Sequence, residues 1–62
     1  MNIKDIRNGQ LYRDTRNKRV VRVHSKANST SVLATHHSST PEFVKAEDLK
    51  RASKKQCEKY LS

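Results

Sequence analysis

QLYRDTRNKRVVRVHS, residues 10–25, is the stretch whose reading decides the fold. Two short apolar runs, Leu11-Tyr12 and Val20-Val21-Arg22-Val23, flank the polar segment Asp14-Thr15-Arg16-Asn17-Lys18. β-Branched residues in runs bounded by turn formers predict strands, so the stretch reads as a β-hairpin. Gln10 to Arg13 forms the first strand and Arg19 to Ser25 the second. Alternation puts Val21 and Val23 on one face and Val20, Arg22 and His24 on the other, and the first face is the candidate core. The connecting loop has no glycine, which argues against a two-residue turn. A longer loop built on a type I turn is expected, with Asn17 as the residue able to take the left-handed conformation. The same hairpin is the most basic part of the chain: Arg13, Arg16, Lys18, Arg19 and Arg22 lie within ten residues of one another.

Toward the N-terminus, residues 1–9 read as a lead-in turn. Asn2 can cap a helical turn that holds Ile3 and Ile6 three apart on one face. Gly9, the only glycine, is placed to end that turn with a positive φ. Toward the C-terminus, Lys26 to Ser29 is a turn. Thr30 to Thr35 is a third strand, with Val32 and Ala34 on one face and Leu33 on the other. His36 to Thr40 is a second polar loop. Beyond it two readings stay open. In one, Glu42 to Lys45 is a fourth strand and Ala46 to Leu49 is a single helical turn. In the other, Thr40 caps and Pro41 opens a single helix reaching Tyr60. Phe43, Val44 and Leu49 do not share a helical stripe, whereas Leu49, Ala52, Gln56 and Tyr60 do. A strand at 42–45 followed by a helix from about 46 to 60 is therefore preferred. Tyr12 and Phe43 are expected in the core.

The ordered features, Gly9-Gln10-Leu11-Tyr12-Arg13-Asp14, then Arg19-Val20-Val21-Arg22-Val23, a further hairpin, Glu42-Phe43-Val44 and Glu47-Asp48-Leu49, resemble a known pattern. It is that of small bacteriophage- and prophage-encoded proteins predicted to form SH3-like β-barrels. Those proteins carry a GxxYxD motif, a Val-rich strand, another hairpin, and a closing strand with a short helical turn ending in Leu. The resemblance spans roughly residues 6 to 51. It implies a partly open five-stranded barrel and a phage or mobile-element origin. The chain departs from the pattern in lacking turn glycines and in its basic tail after Arg51. The expected fold class is thus mainly β with a C-terminal helix: a small SH3-like, partly open barrel of four to five short strands. Its parts are a lead-in at 1–9, the barrel at 10–51 and a basic helix or tail at 52–62.

At 62 residues the chain is one domain at most, and a core this small is marginal alone. A partner, or a second copy in a homodimer, would stabilise it by mass action. The net charge is +8, and it sits at the two ends of the chain. Residues 1–25 carry seven cations and two anions, residues 26–44 one of each, and residues 45–62 six cations and three anions. Such a balance points to an anionic partner. Arginine forks match phosphate oxygens bidentately, so a basic edge can track a nucleic-acid backbone. The candidate binding residues are Arg13, Arg16, Lys18, Arg19 and Arg22 in the hairpin, with Lys50, Arg51, Lys54 and Lys55 in the tail. Nucleic acid and an acidic surface of a host protein are the two expected partners. With only three aromatic residues, recognition by base stacking is poorly supported, and low sequence specificity follows.

Other chemistries find little in the sequence. His24, His36, His37 and Cys57 lack metal-ligand spacing, and no cofactor is expected. His36-His37-Ser38-Ser39 has neither a nucleophile elbow nor a glycine-built oxyanion loop, so the chain is not expected to be an enzyme. One cysteine permits no internal disulfide. No apolar run approaches the ~18 residues of a membrane span, and the first residues contain no signal-peptide core. A cytoplasmic protein without membrane association is expected.

Overall fold

The computed structural model describes residues 1–37 and 40–62. The polar loop expected at 36–40 lies partly outside the described residues, at Ser38 and Ser39. Five strands form one antiparallel sheet: β1 (Leu11–Asp14), β2 (Arg19–Lys26), β3 (Ser31–Thr35), β4 (Glu42–Lys45) and β5 (Leu49–Arg51). They are followed by a helix, α1 (Lys54–Leu61). The strand order is β4-β3-β2-β1-β5, so the first four strands meander and the fifth returns to pair with the first. β4 and β5 are the two edges, and the sheet is not closed.

The hairpin at residues 10–25 is present with the expected facing. Tyr12 pairs with Val21 and Asp14 with Arg19. Val21 and Val23 are buried on the inner face, with Val32 and Ala34 of β3 beside them. Ile6, Tyr12, Val44, Ala46 and Leu49 complete the core, against which Met1 and Ile3 pack. β2 is long and must curve to wrap this core. It does so at His24, the extra residue in the register between Val23↔Ala34 and Ser25↔Leu33. A bulge of this kind bends a strand and increases its twist.

Before β1, the chain makes a 3-10 turn over Ile3–Asp5, capped by the Asn2 side chain, which accepts from the Lys4 amide. Gly9 has φ +84°. Its amide donates to the Val23 carbonyl at 2.6 Å, while the Val23 amide donates to the Gln10 carbonyl at 3.1 Å. Two residues thus oppose one, as in a glycine bulge. Space is open around the site where a Cβ would stand. Gly9→Ala should therefore cost only the left-handed penalty, about 1–2 kcal/mol. Urea unfolding would measure that loss, and an unchanged midpoint would contradict it.

The loop Thr15–Lys18 is organised by the side chain of Asp14 rather than by a glycine. One carboxylate oxygen of Asp14 accepts from the amides of Arg16 (3.1 Å) and Asn17 (3.3 Å), and the other accepts from the Asn17 side-chain amide (2.9 Å). The left-handed residue is Lys18, at φ +52°, and not Asn17. Asn17 is committed to Asp14, so the positive φ falls one residue later. Thr15 donates through both its amide and its hydroxyl to the Asp48 carbonyl, fastening the hairpin to the turn before β5.

After β4 the structure departs from a helix over 46–60. Ala46–Asp48 is a 3-10 turn and Leu49–Arg51 is a strand. Leu49 is fully buried, opposite Asp14, with Lys50 opposite Arg13 and Arg51 opposite Tyr12. The free edge of β1 recruits this segment, and the core takes Leu49. The helix begins only at Lys54, where Ser53 supplies a capping box: its hydroxyl accepts from the Gln56 amide at 3.1 Å, and the Gln56 side chain accepts from the Ser53 amide at 2.9 Å. Phe43 is the second departure. Alternation along β4 turns Val44 inward and Phe43 outward, where it is 77% exposed.

Candidate functional site

α1 lies against the outer face of the sheet, across β1 and β2, and leaves a crevice on each flank. The half-buried residues Val20, Gln56 and Tyr60 help line one crevice, and Leu11, Ala52 and Cys57 help line the other. The stripe of Ala52, Gln56 and Tyr60 read from the sequence does face the protein. Leu49, its expected first member, belongs to β5 of the sheet instead.

Tyr60 fixes the helix end to the segment after β3. Its hydroxyl accepts from the His37 amide at 3.1 Å, and its ring stacks on the His37 ring at 4.4 Å between centroids, 12° from parallel. His36 donates from Nδ1 to the Val20 carbonyl at 2.7 Å. These contacts join β2, the segment after β3 and α1 around one concavity.

That concavity has a volume of about 730 Å³, and the charged side chains lining it are those of Arg13, Lys18, Arg19, Lys55 and Lys59. Among the described residues no carboxylate lines it. The anions lie elsewhere. Asp14 is fully buried beneath the hairpin loop, Glu42 is bound to Arg19, and Asp5 and Glu47 line other crevices. Like charges gathered in a concave surface raise its potential and focus the field on an incoming anion.

Four residues expected from the sequence, Arg13, Lys18, Arg19 and Lys55, meet in this crevice. Arg22 and Arg51 do not. They line the crevice on the opposite flank of α1, together with Arg7 and Asp5. Arg16 and Lys54 are exposed and line neither crevice, and Lys50 stands beside Arg13 on the outer face of β5. Two cations outside the expected set join the sites, Lys59 in the first and Arg7 in the second. Lys59 was legible, since it stands four residues from Lys55, one turn along the same helix face. Arg7 carries no such signal.

Two hairpin arginines are not held freely in water. Arg19 faces the buried Asp14, with its Nε 3.6 Å from the carboxylate, and one terminal nitrogen binds Glu42. Arg22 donates to the Gly9 carbonyl at 2.9 Å. Of the hairpin cations, Arg19 alone is paired with carboxylates among the described residues. β3 carries β4 alongside β2 and brings Glu42 to it, a pairing across 23 positions that local sequence does not reveal. Among the described residues, Arg13, Arg16, Lys18, Lys55 and Lys59 form no ion pair.

No family model, no curated protein and no solved structure matches the chain. Among the described residues no helix is long and apolar enough to cross a membrane, and no group of histidine, cysteine and carboxylate side chains could hold a metal ion.

Proposed function

We propose that this chain is a small basic binding module of phage type that grips nucleic acid by its phosphate backbone, with low sequence specificity. The crevice between the β1–β2 hairpin and α1 is the binding surface. One observation carries the reading: five cations line a single concavity that no described carboxylate enters. Charge that served only to keep the protein dissolved would have no reason to gather in a concave site. Arg13 and Lys18 from the hairpin and Lys55 and Lys59 from α1 would contact phosphate oxygens, while Arg19, already partly neutralised, would lend field more than contact. The aromatic rings that line the crevice, His36, His37 and Tyr60, are packed against one another, so base identity would be read weakly.

Neutralising about four phosphates makes affinity fall steeply with salt, by on the order of 10²-fold between about 50 and 200 mM. Fluorescence anisotropy with a labelled duplex and a labelled single strand, over that salt range, tests this directly. A salt-independent affinity, or no binding at low salt, would overturn the reading. Capture from a nuclease-treated host lysate of one stoichiometric acidic protein, with no affinity for either oligonucleotide, would replace nucleic acid by an acidic protein surface.

A further inference from the structure

The two edges of the sheet are not alike. β5 is three residues long, carries Lys50 and Arg51, and has its Leu49 carbonyl occupied by the Met1 amine at 3.0 Å. Short, charged and partly covered, it is a protected edge. β4 is neither short of apolar surface nor covered. Phe43 stands out from it at 77% exposure, beside its cross-strand neighbour Leu33.

The backbone of β4 can be followed from its pairing with β3. Ala46 donates its amide to the Thr30 carbonyl at 2.8 Å, and Val44 stands opposite Val32. In an antiparallel ladder alternate residues bond to the same neighbour. Glu42 and Val44 therefore turn their amides and carbonyls to β3, and Phe43 and Lys45 turn theirs to the open edge.

We propose that this edge pairs with the same edge of a second copy of the chain, antiparallel, about a two-fold axis through Val44. In that register Phe43 of each copy lies opposite Lys45 of the other, and each such pair exchanges two backbone hydrogen bonds, four in all. The lysine stem covers the exposed ring and its ammonium lies over the ring face. Val44 meets Val44 on the core face. The occupant is chosen by charge. Two copies of a +8 chain repel wherever their basic surfaces meet, but β4 holds one anion and one cation, Glu42 and Lys45, so this edge approaches its copy with least repulsion. Pro41, which has no amide to donate, and the 3-10 turn at Ala46 end the ladder on either side, so the dimer is weak and forms at high protein concentration. If the crevice binds nucleic acid, pairing sets two crevices on one continuous sheet and adds their phosphate contacts. The pairing itself does not depend on that reading.

Sedimentation equilibrium over a wide range of protein concentration tests the proposal, with reductant to exclude a Cys57 disulfide and with enough salt to screen the net charge. The expected result is a concentration-dependent rise from the 7.2 kDa chain mass toward twice that value. It should be accompanied by slower hydrogen exchange at the Phe43 and Lys45 amides. Phe43→Lys, at an exposed site that leaves the circular dichroism spectrum unchanged, sets lysine opposite Lys45 of the other copy and should abolish both. A mass that stays monomeric throughout, or a dimer indifferent to Phe43→Lys, would overturn the proposal. So would protection that appears at β5 rather than at β4.

Discussion

Asp14→Ala is expected to unfold a large fraction of the protein at room temperature. Asp14 is the one buried charged side chain among the described residues. It accepts three hydrogen bonds from the loop it precedes and faces the Arg19 guanidinium. Alanine removes all of these at once. It leaves the Arg19 Nε, which is buried and makes no hydrogen bond, facing an apolar methyl. Three hydrogen bonds, at about 1 kcal/mol each, amount to about 3 kcal/mol before the charge is considered. Domains this small hold about 3–5 kcal/mol in all, so most of the margin would go. Asp14→Asn keeps an acceptor for the Arg16 and Asn17 backbone amides but loses the charge and the acceptor for the Asn17 side-chain amide, so it should cost less than Asp14→Ala. Urea unfolding followed by circular dichroism ranks the two variants. Stability of Asp14→Ala within about 0.5 kcal/mol of the parent, the range of ordinary surface changes, would show that the carboxylate does not organise the hairpin.

The second large effect is on binding. Replacing Arg13, Lys55 and Lys59 together by alanine removes three of the crevice's five cations without touching the core. At about 0.1 M salt, counterion release makes each neutralised phosphate worth about eightfold in affinity, so three are worth about 500-fold. The slope of affinity against salt should flatten by nearly three units on logarithmic axes. Lys4, Arg7 and Lys26, which lie outside this crevice, supply the control. Their replacement by alanine removes the same net charge and should weaken binding far less. Equal losses from the two triple variants would mean that the net charge acts and the crevice does not.

The alternating strands were the legible part of this fold. Val21 and Val23, and then Val32 and Ala34, show which face is buried, because only one register hides all four. Asn2 and Gly9 announced the lead-in through their capping and left-handed preferences. β5 was not legible. Leu49-Lys50-Arg51 has no strand preference of its own, and pairs because β1 offers an open edge and the core a place for Leu49. The helix start was legible and was missed: Ser53 and Gln56 stand at the spacing of a capping box, which the longer apolar stripe beginning at Leu49 obscured. Phe43 was expected in the core on hydrophobicity, and the alternation of a four-residue strand overrode it. At the site, the sequence supplied the cations but not their grouping. Helix docking through Tyr60 and His37 sorts Lys55 and Lys59 toward Arg13. The sheet register, in turn, gives Arg19 to Glu42 and sends Arg22 and Arg51 to the other flank.

The central claim, that the crevice between hairpin and helix receives a phosphate backbone, is tested most directly by amide chemical-shift mapping of the labelled protein during titration with a short oligonucleotide. The account predicts saturable, salt-sensitive shifts centred on Arg13, Lys18, Val20, His37, Lys55, Gln56 and Lys59, with β4 undisturbed at low protein concentration. Shifts spread evenly over all exposed lysines and arginines, or centred away from α1, would contradict it.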